Sequence, residues 1–156
     1  MTASDTGHNE DADVEISEKI EENGCIEQLG YDCFIRLCIL FTSEAVLHGE
    51  RQSPPAADLQ HALDFLDGKT TAAALDSRRD SAWRDHDKLN RQNDPAAAVR
   101  RLTFLFPNLL RGIEEKGQPD SYDFLFLNLL WDINPALCHR FWDYLSAHIE
   151  AARNAV

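Results

Sequence analysis

His86 and Asp87 are adjacent residues whose side chains could share a divalent metal ion. Imidazole nitrogens and carboxylate oxygens are common metal ligands, and a metal held by them can activate water for hydrolysis. A complete site would need further ligands, for which the sequence offers His48, His61, Asp123 and Asp132. These residues form no recognisable spacing pattern with the pair, so the simpler interpretation is a charged helix face in contact with solvent.

The adjacent His and Asp nevertheless resemble the metal-binding core of the HD phosphohydrolases. No other catalytic pattern supports an enzyme, because the sequence contains no glycine-rich phosphate loop, no nucleophile elbow and no HExxH helix. We therefore expect a protein that is not an enzyme and that needs no metal or other cofactor. An HD-like metal-dependent hydrolase is one alternative.

Four other residues share one side of a predicted helix because they are spaced four, three and four residues apart. They are Asp76, Asp80, Trp83 and Asp87, here called the Trp83 surface. The apolar stripe of the same helix is separate and thin, consisting of Leu75, Ala82 and Leu89. Full burial of Trp83 would draw three carboxylates toward the core at high cost, whereas a partly exposed tryptophan between acids is typical of a protein-binding hot spot. We predict that the Trp83 surface binds a partner; the alternative is a tryptophan tilted over the core edge with its acids in solvent.

Residues 78–101 are locally basic, with a net charge of +3. Asp80 with Arg84, and Asp87 with Arg91, have the favourable acid-first spacing of four residues. This spacing indicates a solvated helix face whose charges pair with one another, and a phosphate-binding patch is the alternative.

The whole chain of 156 residues is acidic, with a net charge of −12. Residues 1–27 hold nine acids against the single Lys19, so two thirds of the net charge belongs to the first 27 residues. Nucleic acid is usually bound by an excess of Lys and Arg, which disfavours it as a partner. A protein partner with a basic surface is electrostatically more favourable.

Apolar residues recur at helical spacing through most of the chain, and no segment is a convincing strand. The fold predicted is all-α, a compact bundle of six or seven helices in one domain over residues 13–156, preceded by a disordered acidic tail over residues 1–12. Six predicted helices cover residues 32–48, 54–67, 70–91, 95–107, 121–133 and 135–149. Two shorter segments have weaker helical patterns: residues 14–22, whose like charges make a helix marginal without a partner, and residues 108–115, which allow one or two turns.

No apolar run is long enough to span a bilayer, and the N-terminus has acids where a signal peptide would have a basic start. These features predict a cytoplasmic protein without membrane contact. Four cysteines without CxxC spacing agree with that location, and we expect them to be core residues.

The stretch from Cys33 to Leu89 resembles a known family in its order of helices. An apolar helix ends in Glu44 to Leu47, a proline-started helix is closed by Asp67 to Lys69, and a long helix rich in Ala and Arg follows. This order is similar to that of the helical immunity proteins encoded beside polymorphic bacterial toxins. The resemblance implies an inhibitor of a toxin, without assigning a role to any residue.

A second resemblance lies in the later half of the chain. The residues that carry it are Arg100, Arg101, Leu102, Asp123, Phe124, Leu129 and Trp131. They resemble the small helical subunit of the type I-E CRISPR surveillance complex, a family that is usually basic because it contacts nucleic acid, whereas this chain is acidic. The implied alternative is a helical subunit of a ribonucleoprotein or regulatory complex. The favoured hypothesis is a cytoplasmic binding protein that acts by occlusion, an immunity- or antitoxin-like inhibitor of a basic partner such as a nuclease toxin.

Overall fold

The computed structural model of the chain describes residues 11–116 and 122–155. Every regular element in these ranges is helical, which confirms the predicted all-α class. The elements are α1 (Ala12–Glu22), α2 (Cys25–Leu29), α3 (Tyr31–Phe41), a π-helical turn (Thr42–Val46), α4 (Pro54–Leu66), α5 (Ala72–Arg91), α6 (Ala96–Lys116), α7 (Tyr122–Ile133) and α8 (Ala136–Asn154). Residues 1–10, most of the predicted tail, lie outside the described residues.

The chain divides into two compact units, and the division falls within α3 after Leu37. Among the described residues, the first unit contains 11–37 and 122–155, and the second contains 38–116. The prediction that residues 13–156 form one folding domain is not tested by this division and stays a prediction.

In the first unit, α1 packs against α7 and α8, which also pack against each other. Its centre is aromatic: the Phe141 ring lies edge-on to Phe34 and Phe126, with centroid distances of 6.2 and 5.0 Å. Ile16 and Ile20 of α1 are also buried. A charged segment that would be marginal as an isolated helix is thus stabilised by burying one apolar face.

The start of α1 is fixed by polar contacts to α7. Asn128 donates a hydrogen bond of 3.0 Å to the Asp13 carboxylate, and the Ser17 hydroxyl donates one of 2.8 Å to Asp123. Ala12, the last residue of the predicted tail, is the first residue of α1 and is fully buried. The ordered part of the chain therefore begins before residue 13.

In the second unit, α4, α5 and α6 pack against one another in all three pairs. The predicted start and stop of α4 are confirmed: Ser53 caps it before Pro54, and Gly68 follows it in the left-handed conformation, with φ of 73°. The helix predicted over residues 70–91 begins at Ala72 instead, and its cap is Thr71, whose hydroxyl accepts a hydrogen bond of 3.1 Å from the Ala74 amide.

Pro107 lies inside α6 and does not end it, so the prediction of two helices at 95–107 and 108–115 was wrong. Proline removes one backbone hydrogen bond and usually kinks or ends a helix. Here buried apolar residues continue on both sides of it, at Leu102, Leu105, Phe106, Leu109 and Leu110. Their burial offsets the lost hydrogen bond and keeps the segment helical.

Two short elements were not predicted. Helix α2 has five residues between Gly24 and Gly30, both with positive φ, and is too short to show a periodic apolar pattern. The π-helical turn follows α3 where the Thr42 hydroxyl donates a hydrogen bond of 2.8 Å to the Cys38 carbonyl. Within the described ranges, no helix combines the length and apolarity that crossing a bilayer requires.

The cysteines were expected to be core residues, and this is correct for Cys25, Cys38 and Cys138 but wrong for Cys33. Cys33 lies on the exposed side of α3, a side that apolar composition alone did not reveal. Burial raises the pKa of the Cys25 thiol and raises that of Cys138 to about 12. Because the thiolate is the reactive form, these buried thiols should be inert.

Titration of the native protein with Ellman's reagent should therefore modify one thiol per chain, Cys33, and should modify all four in denaturant. Cys33→Ser should abolish the native reaction, while Cys138→Ser should leave it unchanged. A native reaction that persists in Cys33→Ser would show that one of the other thiols is accessible, contrary to the burial described.

Candidate partner-binding site

The Trp83 side chain lies at the surface of the second unit. It is 55% exposed, the highest value among the large apolar residues that the structure describes as exposed. The covered part of the indole packs against Phe104 of α6 and against His86, with ring centroid distances of 5.8 and 5.7 Å. Trp83 is therefore held in place by α6 while much of its surface remains available.

The three acids of the Trp83 surface have different surroundings. Asp76 forms a hydrogen-bonded ion pair with Arg111 at 2.5 Å and lies 3.8 Å from Arg79. The hydrogen bond from Arg111 holds the pKa of Asp76 below its usual value. Asp87 pairs with Arg91 at 3.0 Å, whereas exposed Asp80 has no ion-pair partner among the described residues.

His86 lies at the buried edge of the Trp83 surface. Its Nε2 accepts a hydrogen bond of 3.3 Å from Arg101, so in this arrangement the neutral ring carries its proton on Nδ1. Nδ1 is buried and has no partner among the described residues. Burial first, and then the Arg101 charge, lower the pKa of His86, while Asp87 opposes the shift. The imidazole is thus held in its neutral form.

In the same unit, the carboxylate of Asp58 on α4 is completely buried. Arg78 of α5 donates a hydrogen bond of 2.7 Å to its Oδ1, and Thr103 of α6 donates one of 3.1 Å to its Oδ2. Arg100 Nε lies 2.9 Å from Oδ2, an ion-pair distance without hydrogen-bond alignment. Arg100 Nη1 also donates a hydrogen bond of 2.9 Å to Asp85 of α5.

Burial raises the pKa of the Asp58 carboxyl, against the opposing effects of Arg78, Arg100 and Thr103. Removal of one charged partner from such a group would leave an uncompensated charge in the interior. We call Asp58, Arg78, Arg100, Thr103 and Asp85 the Asp58 network. It connects α4, α5 and α6.

Of the two ion pairs predicted within the basic stretch 78–101, one is confirmed and the other is wrong. Asp87 and Arg91 pair as expected, but no ion pair between Asp80 and Arg84 is present in this described part of the chain. Arg78 and Arg100 instead turn inward to Asp58. Arg100 is 1% exposed, so a phosphate could reach it only by displacing its acids.

The Asp58 network was missed because its members come from three separate segments. The available signal was Asp58 itself, which is adjacent to core residue Leu59 within an apolar helix. A carboxylate at such a position requires compensating hydrogen bonds or cations. Their identity depends on how α5 and α6 are rotated, which sequence spacing does not specify.

His86 and Asp87 do not face a common ligand position in the arrangement observed, since one contacts Arg101 and the other contacts Arg91. In the described ranges, no group of three His, Cys, Asp or Glu side chains is placed to hold a metal ion. Comparison of the chain with family models, curated proteins and solved structures finds no match.

The lowered pKa of His86 predicts that protonation of this residue destabilises the fold. The unfolded chain binds the proton more readily, so the contribution of His86 to stability is complete above its unfolded pKa of about 6.5 and is lost as the pH falls through the lower folded pKa. Urea unfolding measured between about pH 7.5 and pH 5 should show a smaller loss of free energy in His86→Gln than in the wild type.

The matched control is His148→Gln, which removes an exposed imidazole from α8. Equal pH dependence in His86→Gln and the wild type would mean that His86 is protonated as easily in the folded as in the unfolded chain. The description of a neutral, buried His86 would then be wrong.

Proposed function

We propose that this chain is a cytoplasmic binding protein that inhibits a basic protein partner by occlusion, in the manner of an immunity protein or antitoxin. The Trp83 surface is the contact site in this proposal. The single observation that carries it is the combination of 55% exposure at Trp83 with firm packing of the same indole against Phe104 and His86.

Exposure of an ordered tryptophan supports a binding role for a physical reason. Aromatic residues supply large contact areas, and tryptophan is enriched among the residues that dominate binding energy. An anchor that is already ordered loses little conformational freedom when a partner covers it. The contacts of Trp83 with α6 provide this order.

The charges around Trp83 refine the kind of partner proposed. Arg111 offsets the charge of Asp76, and Arg91 offsets that of Asp87, so Asp80 is the acid most available to a partner. A basic side chain facing Asp80 beside an apolar pocket for Trp83 would complement this surface. The overall charge of −12 would also accelerate encounter with a basic protein.

Occlusion requires no catalytic group. It requires a surface that keeps its shape when the partner binds, and the Asp58 network supports α5 from the side of α4 and α6. A nuclease toxin whose phosphate-binding residues are covered by this surface would lose access to its substrate. The proposed mechanism is therefore competition between this chain and the substrate for the basic surface of the toxin.

The proposed function can be tested with the protein encoded by the reading frame next to the gene for this chain. If that frame encodes a toxin domain, co-expression of this chain should restore growth, and the purified chain should inhibit the toxin at a one-to-one ratio. Survival of the toxin's activity with excess chain present would contradict the proposal. Stable purification of the chain within a nucleic-acid-handling assembly would instead favour the ribonucleoprotein alternative.

The contact site is tested by Trp83→Ala. We expect the affinity for the inhibited protein to fall by at least about 2 kcal/mol, or roughly thirtyfold, as for hot-spot aromatics. The free energy of unfolding should fall by less than about 2 kcal/mol, because more than half of the residue is already exposed. Calorimetric titration and urea unfolding measure the two quantities on the same variant.

Phe124→Ala is the control, since Phe124 is an exposed aromatic residue of α7 outside the Trp83 surface. It should leave the affinity unchanged. Asp80→Lys should mainly slow association and reduce its dependence on salt. Unchanged affinity in Trp83→Ala, with the fold intact, would remove Trp83 from the binding site.

A further inference from the structure

A cleft in the second unit lies on the opposite side of α5 from the Trp83 surface and encloses about 480 Å³. This volume lies within the range of roughly 300–1,000 Å³ that is typical of small-molecule sites. The start of α4, the end of α5 and the start of α6 form its walls. Its apolar lining consists of Pro54, Pro55, Leu89, Ala96 and Val99.

The walls of the cleft are held in place by features of the chain itself. Pro54 and Pro55 begin α4 with a restricted backbone, and the Ser53 hydroxyl caps the same turn. On the opposite wall, the Asp94 carboxylate accepts a hydrogen bond of 2.9 Å from the Ala96 amide at the start of α6. The cleft therefore requires little rearrangement to accept a ligand.

Four polar residues complete the lining: Asp85, Lys88, Gln92 and Arg100. Arg100 and Asp85 pair with each other, and the remaining contact of Arg100 is to Asp58, whose second cation is Arg78. The charges of this network balance. Among the lining residues, Lys88 remains, exposed and without an ion-pair partner in the part of the chain described, so the lining carries a net charge of +1.

We propose that this cleft binds an amphipathic monoanion, a molecule with an apolar body and one carboxylate. The apolar body contacts Leu89, Ala96 and Val99, while the carboxylate pairs with the Lys88 ammonium at the rim. Gln92 offers an amide donor to the same carboxylate. This site is independent of the partner-binding function proposed for the Trp83 surface.

Octanoate is a suitable probe because its ten non-hydrogen atoms fit within the cleft, and 1-octanol provides an uncharged probe of equal chain length. For a ligand of this size we expect a dissociation constant between about 10 µM and 1 mM. Titration of the full chain, followed by NMR, should shift the amide signals of Leu89, Ala96 and Val99. Octanol should bind at least roughly fivefold more weakly, because it cannot pair with Lys88.

Two variants and one matched control locate the site. Lys88→Gln should weaken octanoate binding by roughly fivefold, and Lys69→Gln, which removes an exposed lysine outside the lining, should not. Ala96→Trp should abolish binding by filling the cleft. Because Ala96 is exposed, this variant should keep the fold, which circular dichroism can verify.

The remaining outcomes would overturn the proposal. Absence of binding at 5 mM octanoate, or binding that persists in folded Ala96→Trp, would show that the cleft is not a ligand site; 5 mM is about five times the weakest expected dissociation constant. Equal affinity for octanol and octanoate would show that Lys88 does not pair with the carboxylate of the ligand. Trp83→Ala should leave octanoate binding unchanged, so failure here is distinguishable from failure of the partner-binding function.

Discussion

The carboxylate of Asp58 is completely buried, and side chains from two other helices meet on it. Burial of a charge is costly, and buried ion pairs often contribute little net stability compared with well-packed apolar residues. The main effect of the Asp58 network is to fix the orientation of the helices that it joins. Arg78 and Asp85 lie on α5, so their contacts with Asp58 and Arg100 define how that helix is rotated against α4 and α6.

The orientation of α5 about its own axis depends on these polar contacts because the apolar side of the helix is small. Of its twenty residues, the buried ones are Leu75, Ala82 and His86. Apolar burial at so few positions leaves rotation weakly specified, since a helix usually needs a wider apolar stripe to define its orientation. The ion pairs of the Asp58 network and the ring contact of Trp83 with Phe104 supply the missing contacts. A single orientation of α5 thus places Trp83 on one side of the helix and the cleft lined by Lys88 on the other.

The sequence predicted those features that depend on local spacing. Helical periodicity identified the all-α class, and the proline and glycine at the two ends of α4 located that helix. Alignment of Asp76, Asp80, Trp83 and Asp87 also predicted that Trp83 could be exposed, which the structure describes. These features depend on residues that are only three or four positions apart, and the spacing of such residues can be read directly from the sequence.

Features that depend on packing between distant segments were not predictable in the same way. Continuation of α6 through Pro107 depends on buried residues beyond the proline, and the pairing of Asp76 with Arg111 joins residues 35 positions apart. Asp58 was overlooked because its partners lie 20 and 42 positions along the chain. The availability of each acid on the Trp83 surface therefore became apparent only from the fold.

Asp58 and Arg100 act together in holding α4, α5 and α6 in contact. A double-mutant cycle of Asp58→Ala and Arg100→Met tests it, with native-state amide hydrogen exchange of these helices reporting the free energy of unfolding. Each single variant unbalances the charge of the network, because Asp58→Ala leaves two arginines against Asp85 and Arg100→Met leaves two acids against Arg78. The double variant restores the balance. We therefore predict that it will be less destabilised than the sum of the two by about 2 kcal/mol or more. Additivity within about 0.5 kcal/mol would contradict the account.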